Sequence, residues 1–145
     1  MSLDGAYESD NVFARVLRGE LPAHKVFEDA EVLAFMDLFP QSRGHVLVIS
    51  KGSRARNLLE VEPEHLGPLM LGVQRVARAM RAALQPDGIV VTQFNGAHAG
   101  QSVFHLHVHV IPTYEGAAPR RHGESGKADE GELADLARRI ADEIS

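Results

Sequence analysis

Apolar residues recur along this chain in two rhythms, every third or fourth position in some stretches and every second position or continuously in others. Residues 11–18 carry Val12, Phe13, Val16 and Leu17 at helical spacing, and Gly19 stands where a helix would stop. Residues 25–28 and 32–39 are short β-prone runs separated by Asp29, Ala30 and Glu31, which predicts a hairpin ended by Pro40. Residues 45–50 read His-Val-Leu-Val-Ile-Ser, a continuous run expected to form a strand buried on both faces. Pro63 suits a first helical turn, and Leu66, Leu69, Met70, Val73, Val76, Ala77, Met80 and Leu84 extend it into the longest helix. Pro86, Asp87 and Gly88 break that helix before a strand over 89–94, a loop over 95–100 and a last strand over 102–111 closed by Pro112. Residues 1–10 are polar and acidic and are expected to be a flexible N-terminus. Residues 115–130 are polar and Gly-rich, which predicts a flexible linker; Leu133, Leu136, Ile140 and Ile144 then mark an amphipathic helix over 131–145. The order of elements predicts an α+β domain over 11–114, an antiparallel five-stranded sheet with helices packed against it.

Composition narrows the class of function. A chain of 145 residues with 44% hydrophobic and 24% charged positions can bury one sizeable core. The absence of cysteine removes disulfides and thiolate zinc clusters, and with no apolar leader or span of about 20 residues it points to the cytoplasm and away from membranes. A net charge of −5 argues against nucleic acid as a partner, since that binding rests on many Lys and Arg contacts to phosphate. A bound phosphate would have to be gripped locally.

The local grip is suggested by residues 100–112, Gly-Gln-Ser-Val-Phe-His-Leu-His-Val-His-Val-Ile-Pro. On a strand, His105, His107 and His109 share one face, at intervals of about 6 to 7 Å, while Phe104, Leu106, Val108 and Val110 face the core. Imidazole can act as a neutral nucleophile near pH 7, and a neighbouring ring can donate to phosphoryl oxygens or a leaving group. Gly96 and Gly100 allow close backbone approach, and Ser102 adds a hydroxyl. Two other readings compete: His-x-His is also a chelating pair for zinc, and three solvated histidines on an open sheet face would do nothing.

These residues resemble the histidine triad (HIT) family of nucleotide hydrolases and transferases, whose signature His-φ-His-φ-His-φ-φ, φ being apolar, is met by residues 105–111. The resemblance extends to residues 11–37, 39–51 and 95–112, about two-thirds of the chain, and is closest to the Hint-like bacterial branch. It implies the HIT fold and a nucleophilic His107 that attacks an α-phosphorus and forms a nucleotidyl-histidine, which water then cleaves. It also implies that His109 donates to phosphoryl oxygens, that His105 and His45 support the site, and that Gln101 and Ser102 contact phosphate or leaving group. Asp37 would accept the ribose hydroxyls, and Phe13, Val16, Phe35, Leu38 and Leu47 would enclose the base. Each has a plainer role: the apolar five as core, Asp37 as a turn residue, His45 as a satisfied core histidine and His98 as a solvated one.

The sequence departs from the family in two places. Where many bacterial members hold structural zinc through Cys-x-x-Cys and a further histidine, this chain has Asn11, Ala14 and Ser53, so no metal or cofactor is expected. Where members often have Asn or Gln ahead of the active-site loop, it has Phe94, with Asn95 next as a candidate substitute. The expected activity is hydrolysis of purine nucleoside phosphoramidates or related nucleotide conjugates. The alternatives are a dinucleoside polyphosphate hydrolase and a nucleotide-binding regulator without turnover. The family also implies a homodimer, for which the helix from Pro63 supplies apolar surface.

Overall fold

The computed structural model describes residues 2–123 and 125–145. Asn11 caps the first helix, α1 (Val12–Leu17), its Oδ1 accepting the Ala14 N–H at 2.9 Å. A hairpin follows, β1 (Lys25–Glu28) and β2 (Val32–Met36), and then β3 (Val46–Ser50). The long helix α2 (Pro63–Leu84) runs as the periodicity predicts and stops at Gln85, which takes the left-handed conformation. Two further strands, β4 (Gly88–Thr92) and β5 (His107–Thr113), and the helix α3 (Glu130–Ala141) complete the chain. All pairings are antiparallel, in the order β1-β2-β3-β5-β4. The expected α+β architecture is therefore present.

The sheet separates two apolar clusters because alternate residues face opposite ways. Val32, Ala34, Met36, Val46, Val48, Val108 and Val110 meet Leu69, Val73, Val76 and Met80 of α2 and Leu133, Leu136 and Ile140 of α3. On the other face Leu33, Phe35, Leu47 and Ile49 meet Phe13 and Val16 of α1. This second layer is thin: one six-residue helix covers part of the sheet and leaves the rest to the histidines.

Several element ends differ from the expected ones; β4 stops at Thr92 rather than at 94 and α3 at Ala141 rather than at 145. β2 stops at Met36, because Asp37 turns the chain by accepting the Phe39 N–H on Oδ1 at 2.8 Å. β5 begins at His107, five residues later than expected, because its partners run out. Ile49 faces His107 near the end of β3, Thr92 faces His109 at the end of β4, and Leu106 instead bonds the Ala55 carbonyl at 2.9 Å. His105 thus lies ahead of the strand.

Pro112 does not close β5, which runs on to Thr113. Thr113 turns its carbonyl to Asp87, beside β4, so Pro112, one residue away, turns to the β3 side. There β3 has not begun, and the Ser42 hydroxyl takes the Pro112 carbonyl. The missing proline N–H disrupts no ladder at that point.

Residues 114–129 hold one isolated bridge, Tyr114 to Ala117, and no helix or strand among the described residues. They nonetheless run back over the molecule, with Arg120 N–H on the Gln41 carbonyl at 2.7 Å and Ala128 N–H on the Leu38 carbonyl at 2.9 Å. The stretch before α1 also makes contacts: Ser2 Oγ accepts the Ala97 N–H and the Leu3 carbonyl accepts from Asn57. No helix among the described residues is long and apolar enough to cross a membrane.

Candidate active site

His107 and His109 stand opposite Ile49 and Leu47, on the sheet face that α1 only partly covers. His107 Nδ1 is 2.7 Å from the carbonyl oxygen of His105. A carbonyl only accepts, so Nδ1 carries the proton and Nε2 keeps its lone pair. The Phe13 ring meets the His107 imidazole edge-on with centroids 4.9 Å apart, and the His109 ring lies 5.0 Å away on the other side. Backbone and neighbours hold the middle ring neutral and in one fixed tautomer.

A chain of hydrogen bonds fixes the next two rings. The Gln41 backbone N–H donates to His45 Nδ1 at 3.0 Å, so the proton of neutral His45 is on Nε2. That nitrogen faces His109 Nδ1 at 3.0 Å, which places the His109 proton on Nε2. His109 Nε2 is buried with no hydrogen-bond partner. A buried donor without a partner costs free energy unless a ligand supplies the acceptor. Asp37 closes the arrangement, its Oδ2 lying 3.5 Å from His45 Nε2. His105 is bonded to the Tyr7 hydroxyl through Nδ1 at 2.8 Å.

Burial holds all four rings neutral. It pushes His45 and His105 down to about 4 and carries His107 and His109 well below the usual imidazole range. Asp37 opposes the fall at His45 and His107, and the hydrogen bond to the His105 carbonyl opposes it at His107. Burial prevails in each case.

The remaining residues expected at the site divide into two groups. Phe13, Val16, Phe35 and Leu47 come together in the second apolar cluster, beside His107. Leu38 is outside that cluster, on the turn after β2 and 36% exposed. Gln101 is buried, and its side chain is committed to backbone: Oε1 accepts the Gly96 N–H at 2.8 Å, while Nε2 donates to the carbonyls of Arg56 and Val103. It braces the loop that begins at Gly96 (φ 91°), passes through a 3-10 turn at Ala97–Ala99 and leaves at Gly100 (φ 113°). Ser102 is exposed at the end of that loop, as is His98 within it. Asn95 Oδ1 accepts from Leu58 N–H and Gln93 rather than from the first ring. Gln101→Ala should therefore cost about 1–3 kcal/mol, read as a lower midpoint in urea unfolding, because it leaves a buried N–H and two carbonyls unpaired.

Two residues at the site gave no signal in the sequence. Tyr7 comes from the segment expected to be loose and ends on His105. His122 comes from residues 115–130, where no motif stood out, yet its ring lies 5.3 Å from that of His109 and 4.7 Å from that of Phe94. Phe94, in place of a polar residue, packs its ring 5.2 Å from His109.

The places where relatives hold structural zinc do not fit the ion here. Asn11 is the cap of α1, Ala14 offers only a methyl, and Ser53 Oγ is shared between Glu62 and the Ala55 N–H. Asp37, His45 and His109 do bring one donor atom each within 4.8 Å of the others, but the two ring nitrogens face each other across a hydrogen bond. These three bind one another.

A five-stranded antiparallel sheet that presents His107 and His109 beside an apolar cluster, with His105 just ahead of the strand and His45 behind, defines a histidine triad protein. The HIT domain family profile matches residues 18–116, and the chain belongs to that family of nucleotide-binding hydrolases and transferases. Among curated relatives it is 36% identical over 137 residues to protein hit of Bacillus subtilis, covering 90% of this chain and 94% of that one. Among solved structures it resembles a Hit-like protein involved in cell-cycle regulation from Bartonella henselae, at 42% identity and a TM-score of 0.88, covering 96% of this chain and all of that one. It also resembles a hypothetical histidine triad nucleotide-binding protein from Sulfolobus tokodaii, at 33% identity and a TM-score of 0.83, covering 91% and 90%.

Proposed function

We propose that this protein hydrolyses purine nucleoside phosphoramidates or related nucleotide conjugates at the α-phosphate, through a nucleotidyl group on His107, and releases nucleoside monophosphate. The observation that carries this reading is the pair of fixed tautomers: a lone pair on His107 Nε2 and, on the adjacent ring, an unpartnered N–H at His109 Nε2. Attack by the first on phosphorus develops negative charge on the phosphoryl oxygens, and the second is a buried donor able to receive it. The base enters between Phe13, Phe35 and Leu47, and Asp37 takes the ribose through the carboxylate oxygen that Phe39 leaves free. Mixing the protein with adenosine 5′-phosphoramidate should release AMP, and alkaline quenching during turnover should leave a mass increase of one AMP unit on the peptide that contains His107. Turnover without an adduct on that peptide would contradict the reading.

The assembly that best suits this chain is a homodimer in the cytoplasm. β4 is an edge strand, and its exposed Val91 lies with the exposed Met70 and Leu71 of α2, an apolar face of the kind that subunit interfaces cover. Val91→Glu should convert the dimer to monomer in sedimentation velocity at micromolar concentration. A wild-type chain that sediments as a monomer would rule this assembly out.

A further inference from the structure

The hydrogen-bond chain that organises the site also limits what it can do with protons. His107 uses its lone pair on phosphorus and keeps its Nδ1 proton on the His105 carbonyl. His45 and His109 hold one proton each, arranged head to tail from the Gln41 N–H, and the pair has no surplus. Giving up the His109 Nε2 proton would leave an imidazolate, since the single proton of His45 is all that could replace it. An amine that departs from phosphorus must nevertheless gain a proton. It has to come from elsewhere.

Resting on the reading above, we infer that His122 is the general acid for the leaving group: its ring stands against His109 and Phe94, on the side of the triad away from the base-binding cluster. The His122 and His109 ring centroids are 5.3 Å apart and nearly perpendicular, and those of His122 and Phe94 are 4.7 Å apart. Gln41, whose backbone holds His45, lies with Nε2 at 3.4 Å from His122 Nδ1. The apolar cluster of Phe13, Phe35 and Leu47 occupies the other end, so a substrate with its base there extends its leaving group past His109 toward His122. Unlike the buried four, His122 is only half-buried. The groups that face it are His109, with His45 and His107 close enough to be disfavoured as cations by its charge, and uncharged Gln41 and Phe94; Arg120 and Arg121 flank it on its own segment.

The reaction balances as follows. His107 Nε2 bonds to phosphorus as the phosphorus–nitrogen bond of the conjugate breaks; its electron pair goes to the amine, which takes the proton of the His122 imidazolium. Water then attacks phosphorus and gives a proton to the now neutral His122, and the electron pair of the breaking bond returns to His107. Each ring ends as it began.

The test compares leaving groups in the intact protein. His122→Gln should slow release of AMP from an alkylamine phosphoramidate by about 10²-fold or more. It should change release from the 4-nitrophenyl ester of AMP, whose leaving group needs no proton, by less than about threefold. His122→Phe, which retains an aromatic ring against Phe94, should give the same split. Equal losses on both substrates, or no loss in either variant, would overturn the role of His122 while leaving the nucleotidyl-histidine intact. A wild-type protein that releases AMP from neither substrate would overturn the proposed function, and this inference with it.

Discussion

Replacing His107 by asparagine is expected to lower AMP release by a factor of about 10⁴ or more while the fold survives. On the proposed mechanism, the substitution removes the lone pair on Nε2 that attacks phosphorus. An asparagine amide can still donate to the His105 carbonyl that now receives the His107 Nδ1 proton, so the thermal midpoint should stay within a few degrees of wild type. The measurement is the single-turnover rate beside the melting curve. A variant that keeps a tenth of the wild-type rate would assign the nucleophile elsewhere, because neither His45 nor His109 can attack without first breaking the hydrogen bond that joins them.

The second large effect is on stability in acid. His45 and His105 are neutral in the fold and held down to about 4, whereas the unfolded chain binds their protons near 6.5. Below pH 6.5 the unfolded state therefore takes up protons that the folded state refuses, and stability that is complete above 6.5 falls as pH drops toward 4. At about 1.4 kcal/mol per pH unit and group, each ring removes about 3 kcal/mol across that window. Two such losses approach the whole stability of an ordinary domain, and His107 and His109 shift the same way. Urea unfolding between pH 8 and 4 should show a midpoint nearly flat above 7 that collapses between 6 and 4. An unchanged midpoint down to pH 5 would mean that the rings are not buried as neutral groups. Surface ion pairs such as Lys51–Glu28 and Arg138–Asp135 do not explain a loss that begins near 6.5, because carboxylates titrate lower and exposed pairs contribute little.

A bound nucleotide should offset part of this loss, since an acceptor on His109 Nε2 satisfies the donor that the free protein leaves buried without a partner. The same atom thus connects the polar composition of the site to its chemistry. A face lined by Leu47, Ile49, Phe13 and Phe35 keeps the imidazoles uncharged, and uncharged imidazoles have lone pairs.

The sequence alone was enough to define the elements whose periodicity is long or whose motif is dense. Alternation placed His107 and His109 on one face and Val108 and Val110 on the other, and the three-four spacing from Pro63 to Leu84 marked α2 to the residue. Tertiary structure decided what depends on contacts between distant segments. Where β5 begins is set by how far β3 and β4 extend, so His105 falls off the strand although its own residues read as one. Gln101 turns inward because the carbonyls of Arg56 and Val103 wait there, which no local pattern records. Tyr7 and His122 reach the histidines from segments with no periodicity, and only the folded chain brings residue 122 beside residue 109. Local spacing fixes which face a side chain takes; which partner it meets there depends on the closure of the whole sheet.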